Sequence, residues 1–288
     1  ELGYRTVLLG CLDQFDNEQD MENFIINMNN QSSLVSYRVG FHSVYTCSLD
    51  FLNKVRNVAH KLNAPVFAHM CETKDEIKTS LEKWNKTPIE FLDSLDMFKY
   101  GGGAFHGVYL TSKEIDICKE KNVAIITNPG SNTKLASGVA PLTIYQQNNI
   151  LLAIGTDGPS SNNAIDFLRE MYLATGLQKL KTEDQSALDA YEVIKMATYN
   201  GAKVLGLNEC LTLEVGQLAD LIMIDLHQPN MQPVNNILKN IVYSGSKQNI
   251  KLTMVDGKIL YENGNFFFNE SIENIYKKCQ AITERLNK

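Results

Sequence analysis

Six short apolar runs rich in β-branched residues, each followed by a longer stretch of helical period, constrain this 288-residue chain more than any other feature. The runs cover 5–12, 36–46, 64–70, 103–110, 122–128 and 150–157. Such alternation predicts parallel strands joined by helical crossovers, because parallel neighbours cannot be linked by a tight turn. In the segment 49–62, Leu49, Leu52, Val55, Ala59 and Leu62 recur at three- and four-residue steps, so one helical face packs on the sheet. Period alone does not separate an open doubly wound sheet from most of an eight-stranded barrel. The polar residues favour the barrel: His42, His69, His106, Asn128 and Asp157 all stand at or just past the C-terminal end of a run. Barrel enzymes collect groups from several strands at that end, so the expected fold is α/β, of the (β/α)8 TIM-barrel type.

Beyond Asp157 the pattern changes to helical stretches at 166–180 and 187–206, then to β-like runs at 218–226, 240–245, 251–264 and 265–268. Asp256-Gly257 and Asn263-Gly264 are turn signals between those runs. The expected organisation is a barrel over 1–210, a small β unit over 211–270 and a C-terminal helix over 271–288. Charge narrows the partners. The net −6 arises from 27 basic and 33 acidic residues without a block of like charge, which disfavours nucleic acid. No apolar run nears the ~18 residues of a membrane-spanning helix, and the opening ELGYRTVLLG lacks a basic region leading into an apolar stretch. Six cysteines (Cys11, Cys47, Cys71, Cys118, Cys210, Cys279) without a C-x-x-C pair read as reduced thiols of a cytoplasmic protein.

The five histidines can be weighed singly. His60, inside an amphipathic helix, and His227, in a Pro-containing loop, read as surface residues. His42, His69 and His106 sit at strand ends, and His69 opens H-M-C-E-T, which places Glu72 where a strand ends and a helix begins. An imidazole ligand beside a carboxylate proton carrier suits that pair. Asp157 lies in G-T-D-G, a weak motif that gains weight from its position. The run Gly101-Gly102-Gly103 precedes a strand instead of opening a helix, so it reads as a turn and not a phosphate cradle. No G-x-S-x-G elbow occurs, which makes covalent catalysis the weaker expectation.

The strings H-S-V-Y-T-C-S (42–48), H-M-C-E-T (69–73), N-P-G-S-N-T-K-L-A-S-G-V-A-P (128–141), G-T-D-G-P-S-S-N-N (155–163) and A-D-L-I-M-I-D-L (219–226) resemble the amidohydrolase superfamily. Within it they are most similar to the S-adenosylhomocysteine and methylthioadenosine deaminases and their chlorohydrolase (triazine and atrazine) relatives. The resemblance implies that His69 and Asp157 are metal ligands at the ends of the fifth and eighth barrel strands. It also implies Glu72 as proton shuttle, His106 beside a metal-bound water, and His42 hydrogen-bonded to substrate. Glu72, His106 and Asp157 are thus the expected catalytic groups, and His42, Glu72 and His106 the expected substrate contacts. The implied cofactor is one divalent ion, zinc first and iron or manganese as alternatives, which lowers a water pKa from ~15.7 to about 7. Asn128 and the loop from Ser131 to Gly138 either shape the pocket rim or form a tight structural loop.

Two departures from the family pattern qualify this. The family's H-x-H metal pair ends the first barrel strand, and no H-x-H occurs here, so the first two barrel strands and part of the small β-sandwich have no counterpart in the chain. The expected partners are a nucleoside and either a second copy or an N-terminal segment or chain carrying that pair. Relatives that accept homocysteine carry arginines after the third strand, whereas no arginine lies between Arg5 and Arg38. A carboxylate-bearing substrate finds little complement there, which favours methylthioadenosine or adenosine over S-adenosylhomocysteine. The expected reaction is hydrolytic deamination of an adenine nucleoside. The alternatives are a guanine or triazine-type aminohydrolase or chlorohydrolase, and an inactive scaffold lacking the H-x-H ligands.

Overall fold

The computed structural model describes residues 2–10 and 12–286; Cys11 and the last two residues of the expected C-terminal helix lie outside the described residues. Cys47, Cys71, Cys118, Cys210 and Cys279 are free thiols. Among the described residues no helix is long and apolar enough to cross a membrane.

The six apolar runs form strands β1 (Thr6–Leu9), β2 (Val35–Gly40), β3 (Val66–Met70), β4 (Gly102–His106), β5 (Val123–Thr127) and β6 (Leu152–Ile154). They pair in chain order as one parallel sheet. Among the described residues β1 and β6 do not pair with each other, so the sheet is a half-barrel with six of the eight strands of a closed (β/α)8 fold. The expected crossover helix is Leu49–Leu62, started by Ser48, whose Oγ accepts from Phe51 N, and stopped by Asn63 in the left-handed region. It buries Leu52, Val55, Val58 and Ala59 against the outer face of the sheet, while Leu49 stays exposed.

Strand alternation divides the sheet residues. Val66, Ala68, Met70 and Ala104 join the main core beneath the helices, whereas Phe67, Ile126 and Ala153 make a smaller interior cluster with Leu9, Phe105 and Val204. The expected turn at Gly101–Gly103 is confined to Gly101 (φ 82°), since Gly102 and Gly103 already belong to β4. A Cβ on Gly103 would lie 2.5 Å from Phe67 and 2.7 Å from Ile126, so this strand needs a glycine to admit the interior aromatic ring.

The C-terminal part holds an antiparallel sheet of β7 (Leu221–Ile224), β8 (Ile250–Val255), β9 (Lys258–Glu262) and β10 (Asn265–Phe266). Asp256-Gly257 and Asn263-Gly264 both have positive φ at each residue, as the turns that match strand twist require. One expectation fails here. The run 240–245 is not a strand but part of the helix Ile237–Ser244, capped by Asn236. Its Val242 is buried against the helices Phe167–Thr182 and Ala190–Ala197, and this tertiary packing overrides the β preference of Ile241 and Val242. The stretch 187–206 is broken at Thr198 into Ala190–Ala197 and Tyr199–Val204, and the tail forms Ile272–Leu286.

Arg5, just before β1, ties the two sheets together. Its Nε and Nη2 donate to Asp220 at 2.6 and 3.0 Å, and the Asp256 N–H adds a third bond to the same carboxylate at 2.8 Å. Burial raises the Asp220 carboxyl, but the bonds from Arg5 and Asp256 outweigh it and hold the group below the ordinary aspartate value. A depressed carboxyl contributes stability above its unfolded-state value and loses that contribution as pH falls through its folded value. Asp220→Asn should therefore cost about 2 kcal/mol near neutral pH, toward the low end for a half-buried pair. The wild-type melting temperature should also fall more steeply than the variant's below about pH 4, the ordinary aspartate range. Parallel pH curves in thermal denaturation would show that this ion pair does not hold the sheets together.

Candidate active site

Every polar side chain singled out at a strand end lies on one rim of the half-barrel. His69 near the end of β3 and His106 at the end of β4 have ring centroids 5.4 Å apart, and the ring of His42, past β2, lies 4.9 Å from that of His69, tilted by 34°. His69 Nδ1 donates to the His42 carbonyl at 3.0 Å, which leaves Nε2 with a free lone pair. His106 Nδ1 donates to Asn132 Oδ1 at 2.8 Å, and its Nε2 is buried without a hydrogen-bond partner. That orphan nitrogen lies 3.7 Å from Glu72 Oε2 and 4.0 Å from Asp157 Oδ2. Two carboxylates from the ends of β3 and β6 thus face one unsatisfied atom at the end of β4, the kind of buried polar group that a fold retains for a ligand.

Unusual backbone makes this convergence possible. Cys71, His106 and Asp157, at the ends of β3, β4 and β6, all have positive φ (57°, 72° and 59°) although none is glycine. By alternation His106 would follow Ala104 toward the helices; the reversal redirects its ring to the rim. Such conformations are costly and persist only where neighbours hold them. The neighbours come largely from 128–138, where the helix Pro129–Lys134 follows β5. Ser131 Oγ donates to Asp157 Oδ2 at 2.7 Å, Asn132 accepts from His106, and Ser137 Oγ donates to Glu72 Oε1 at 3.1 Å. Beyond the expected rim or structural loop, each of these side chains is dedicated to one strand-end group. The fully buried Glu170 fixes the segment from behind, accepting from Gly130 N at 2.7 Å and Asn162 Nδ2 at 2.8 Å.

Electrostatics sort the ionisable groups. Burial and the neighbouring His106 depress His69, which favours the neutral imidazole able to ligate a cation. Burial raises Asp157, yet bonds from Ser131 and the Gly158 N–H outweigh it and keep the carboxyl low and charged. A neutral imidazole whose other nitrogen donates to a carbonyl, beside an anchored carboxylate, matches the usual support of a metal ligand pair. Among the described residues no three His, Cys, Asp or Glu side chains are grouped to hold an ion by themselves. His69 and Asp157 supply two donors of the kind a divalent ion takes, a neutral imidazole and a charged carboxylate. His60 and His227 lie apart: His60 Nε2 is 2.8 Å from the Asp96 carbonyl, and His227 is exposed. Arg5 is paired with Asp220, and Arg38 donates to the Leu205 and Tyr37 carbonyls.

A sequence profile of the amidohydrolase family matches residues 9–260, and the chain belongs to that family. It is 40% identical over 271 residues to a 5'-deoxyadenosine deaminase of Methanosphaera stadtmanae, covering 91% of this chain and 64% of the relative. It is 42% identical over 268 residues to a 5-methylthioadenosine/S-adenosylhomocysteine deaminase of Thermococcus sibiricus, covering 90% of this chain and 63% of the relative. The chain thus spans somewhat under two thirds of these curated relatives. Among solved structures, a zinc-bound adenosine deaminase from Xanthomonas campestris superposes with a TM-score of 0.86 at 29% identity, over 94% of this chain and 61% of that one. The fold is shared with a zinc-complexed atrazine chlorohydrolase of Arthrobacter aurescens, with a TM-score of 0.83 at 21% identity over 92% of this chain and 60% of that one.

The Asn132 contact generates a direct test. Asn132→Ala should remove the acceptor that fixes the His106 proton on Nδ1, at about 1–2 kcal/mol of stability. The ring-nitrogen resonances of His106 should then shift from a single Nδ1–H tautomer to a mixture, while those of His60 stay put. An unchanged His106 tautomer would show that Asn132 does not set it.

Proposed function

We propose that this chain carries the reacting side of a metal-dependent aminohydrolase that deaminates an adenine nucleoside. The observation that carries the reading is the buried His106 Nε2, facing Glu72 and Asp157 at 3.7 and 4.0 Å with its other nitrogen already bonded. Two carboxylates facing an imidazole nitrogen that lacks a partner suit a planar ring that offers donors and acceptors of its own. The names of the relatives, adenine nucleoside deaminases at 40% and 42% identity, support the substrate class.

In this reading His69 and Asp157 hold a divalent ion, zinc first, together with ligands beyond these two. Such an ion supplies a water of lowered pKa at neutral pH. Asp157, anchored by Ser131 and the Gly158 N–H, takes up the proton that the attacking water gives up. Glu72, steadied by Ser137, takes that proton over from Asp157 and delivers it to the purine ring nitrogen beside the reacting carbon, then carries the second water proton, from the new C–OH, to the departing amino group. A C–O bond forms, the C–N bond breaks and ammonia leaves. His106 Nε2 accepts a hydrogen bond from the attacking water and orients it, and His42 binds the substrate at the exposed mouth. With no arginine between Arg5 and Arg38, a neutral 5' substituent is favoured, as in 5'-deoxyadenosine, methylthioadenosine or adenosine.

The test is an ammonia-coupled assay with metal analysis on the protein at its native length. Ammonia should be released from those three nucleosides with a higher kcat/KM than from S-adenosylhomocysteine. Glu72→Gln should keep metal and fold and lose about 10²–10⁴ in kcat. His69→Ala and Asp157→Ala should each lose most of the bound metal. Guanine as the sole substrate would overturn the nucleoside assignment. An undiminished Glu72→Gln enzyme would remove Glu72 from proton transfer, and full metal in both ligand variants would make His69 and Asp157 structural.

A further inference from the structure

The helix Lys74–Trp84 begins two residues after Glu72, and its N-cap Thr73 accepts from Glu76 N at 3.1 Å. In a capping box the carboxylate at this third helical position returns to the N–H of the cap residue itself, as Glu90 and Glu114 do for Thr87 and Thr111 in this same protein. Glu76 does something else. Its Oε1 accepts from the Cys71 N–H at 3.1 Å and its Oε2 from the Glu72 N–H at 2.7 Å, past the cap. Two consecutive amides aimed at one carboxylate, with Cys71 at φ 57°, make a nest that holds the reversed backbone at the end of β3. The Cys71 carbonyl is gripped from the other side by Val108 N and Tyr109 N, both at 2.9 Å.

Glu76 is 4% exposed and faces no cation within ion-pair distance among the described residues. Burying a carboxylate without a countercharge is unfavourable, and an apolar residue would fill the same helical position more cheaply. What the carboxylate supplies is a rigid fork of two acceptors. We propose that Glu76 is a positioning residue: through the Cys71 and Glu72 amides it sets the backbone that aims the Glu72 carboxylate at His106. This rests on the reading of Glu72 as the proton carrier. Removing the fork would leave the nucleoside pocket and strand β3 in place while letting the Glu72 carboxylate wander.

The test compares Glu76→Gln with Thr73→Ala in the protein at its native length, by amide hydrogen exchange, thermal denaturation and steady-state kinetics. The glutamine has one acceptor oxygen and turns an N–H₂ toward the other amide, so exchange at Cys71 and Glu72 should accelerate about tenfold or more, with 77–84 unchanged. The kcat for ammonia release should fall about tenfold or more, with KM within about twofold, because positioning acts on the transition state. Thr73→Ala, which removes only the cap, should lower the melting temperature comparably and leave kcat within about threefold. Equal loss of kcat in both variants, in step with melting temperature, would make Glu76 merely structural and overturn the proposal; so would unchanged exchange at Cys71 and Glu72. If the wild type releases no ammonia from any adenine nucleoside, the functional reading fails, and exchange alone decides whether Glu76 fixes Glu72. If Glu76→Gln does not fold, wild-type exchange decides. Protection of the Cys71 and Glu72 amides about a hundredfold beyond that of Lys74 and Asp75 upholds the fork, and equal protection overturns it.

Discussion

Parallel pairing is the constraint on which the rest depends. It points every strand the same way, so the ends of β3, β4, β5 and β6 come out at one rim, with Met70 paired to His106 and Thr127 to Ile154. Residues far apart in sequence become neighbours there without a designed loop between them. His69, His106 and Asp157 need only stand near the C-terminal ends of β3, β4 and β6 to share one space. The strands themselves are held by burial on the helix side, where Val66, Ala68, Met70, Ala104 and Ile125 are sealed from water. The rigid layer and the polar rim are thus two faces of one arrangement.

A rim of strand ends leaves the chain free to turn in several ways, and here that freedom is removed by hydrogen bonds. Positive φ at Cys71, His106 and Asp157 bends the backbone toward the shared space. Ser131, Asn132 and Ser137 each hold one of the groups so presented, while Glu76 and Glu170 hold backbone and loops from the buried side. Geometry this determined lowers the reorganisation that a polar site undergoes when a ligand arrives.

Much of this could be read from the residues. The six apolar runs overlap β1 to β6, and for β3 to β6 the continuous apolar sequence follows from burial on both faces of the sheet. The strand-end histidines and Asp157 were visible because polar residues closing apolar runs are conspicuous. Ile237–Ser244 was not visible as a helix, since Ile241-Val242 carries a strand preference and only packing on two other helices reverses it. The partners of Ser131, Asn132 and Ser137 depend on tertiary register, which no local pattern encodes. Glu76 and Glu170 were hidden for a different reason: glutamates are seldom buried, and neither looks unlike a surface residue in sequence.

In the proposed function Glu72, His106 and Asp157 converge on the reacting carbon of a purine. The most direct measurement is a crystal structure of the protein at native length with a nucleoside whose purine C6 is tetrahedral and bears a hydroxyl. That hydroxyl should lie between His106 Nε2 and Asp157, with Glu72 within hydrogen-bond distance of the adjacent ring nitrogen. A nucleoside seated with its ribose at His106 and its base outside the rim would contradict it.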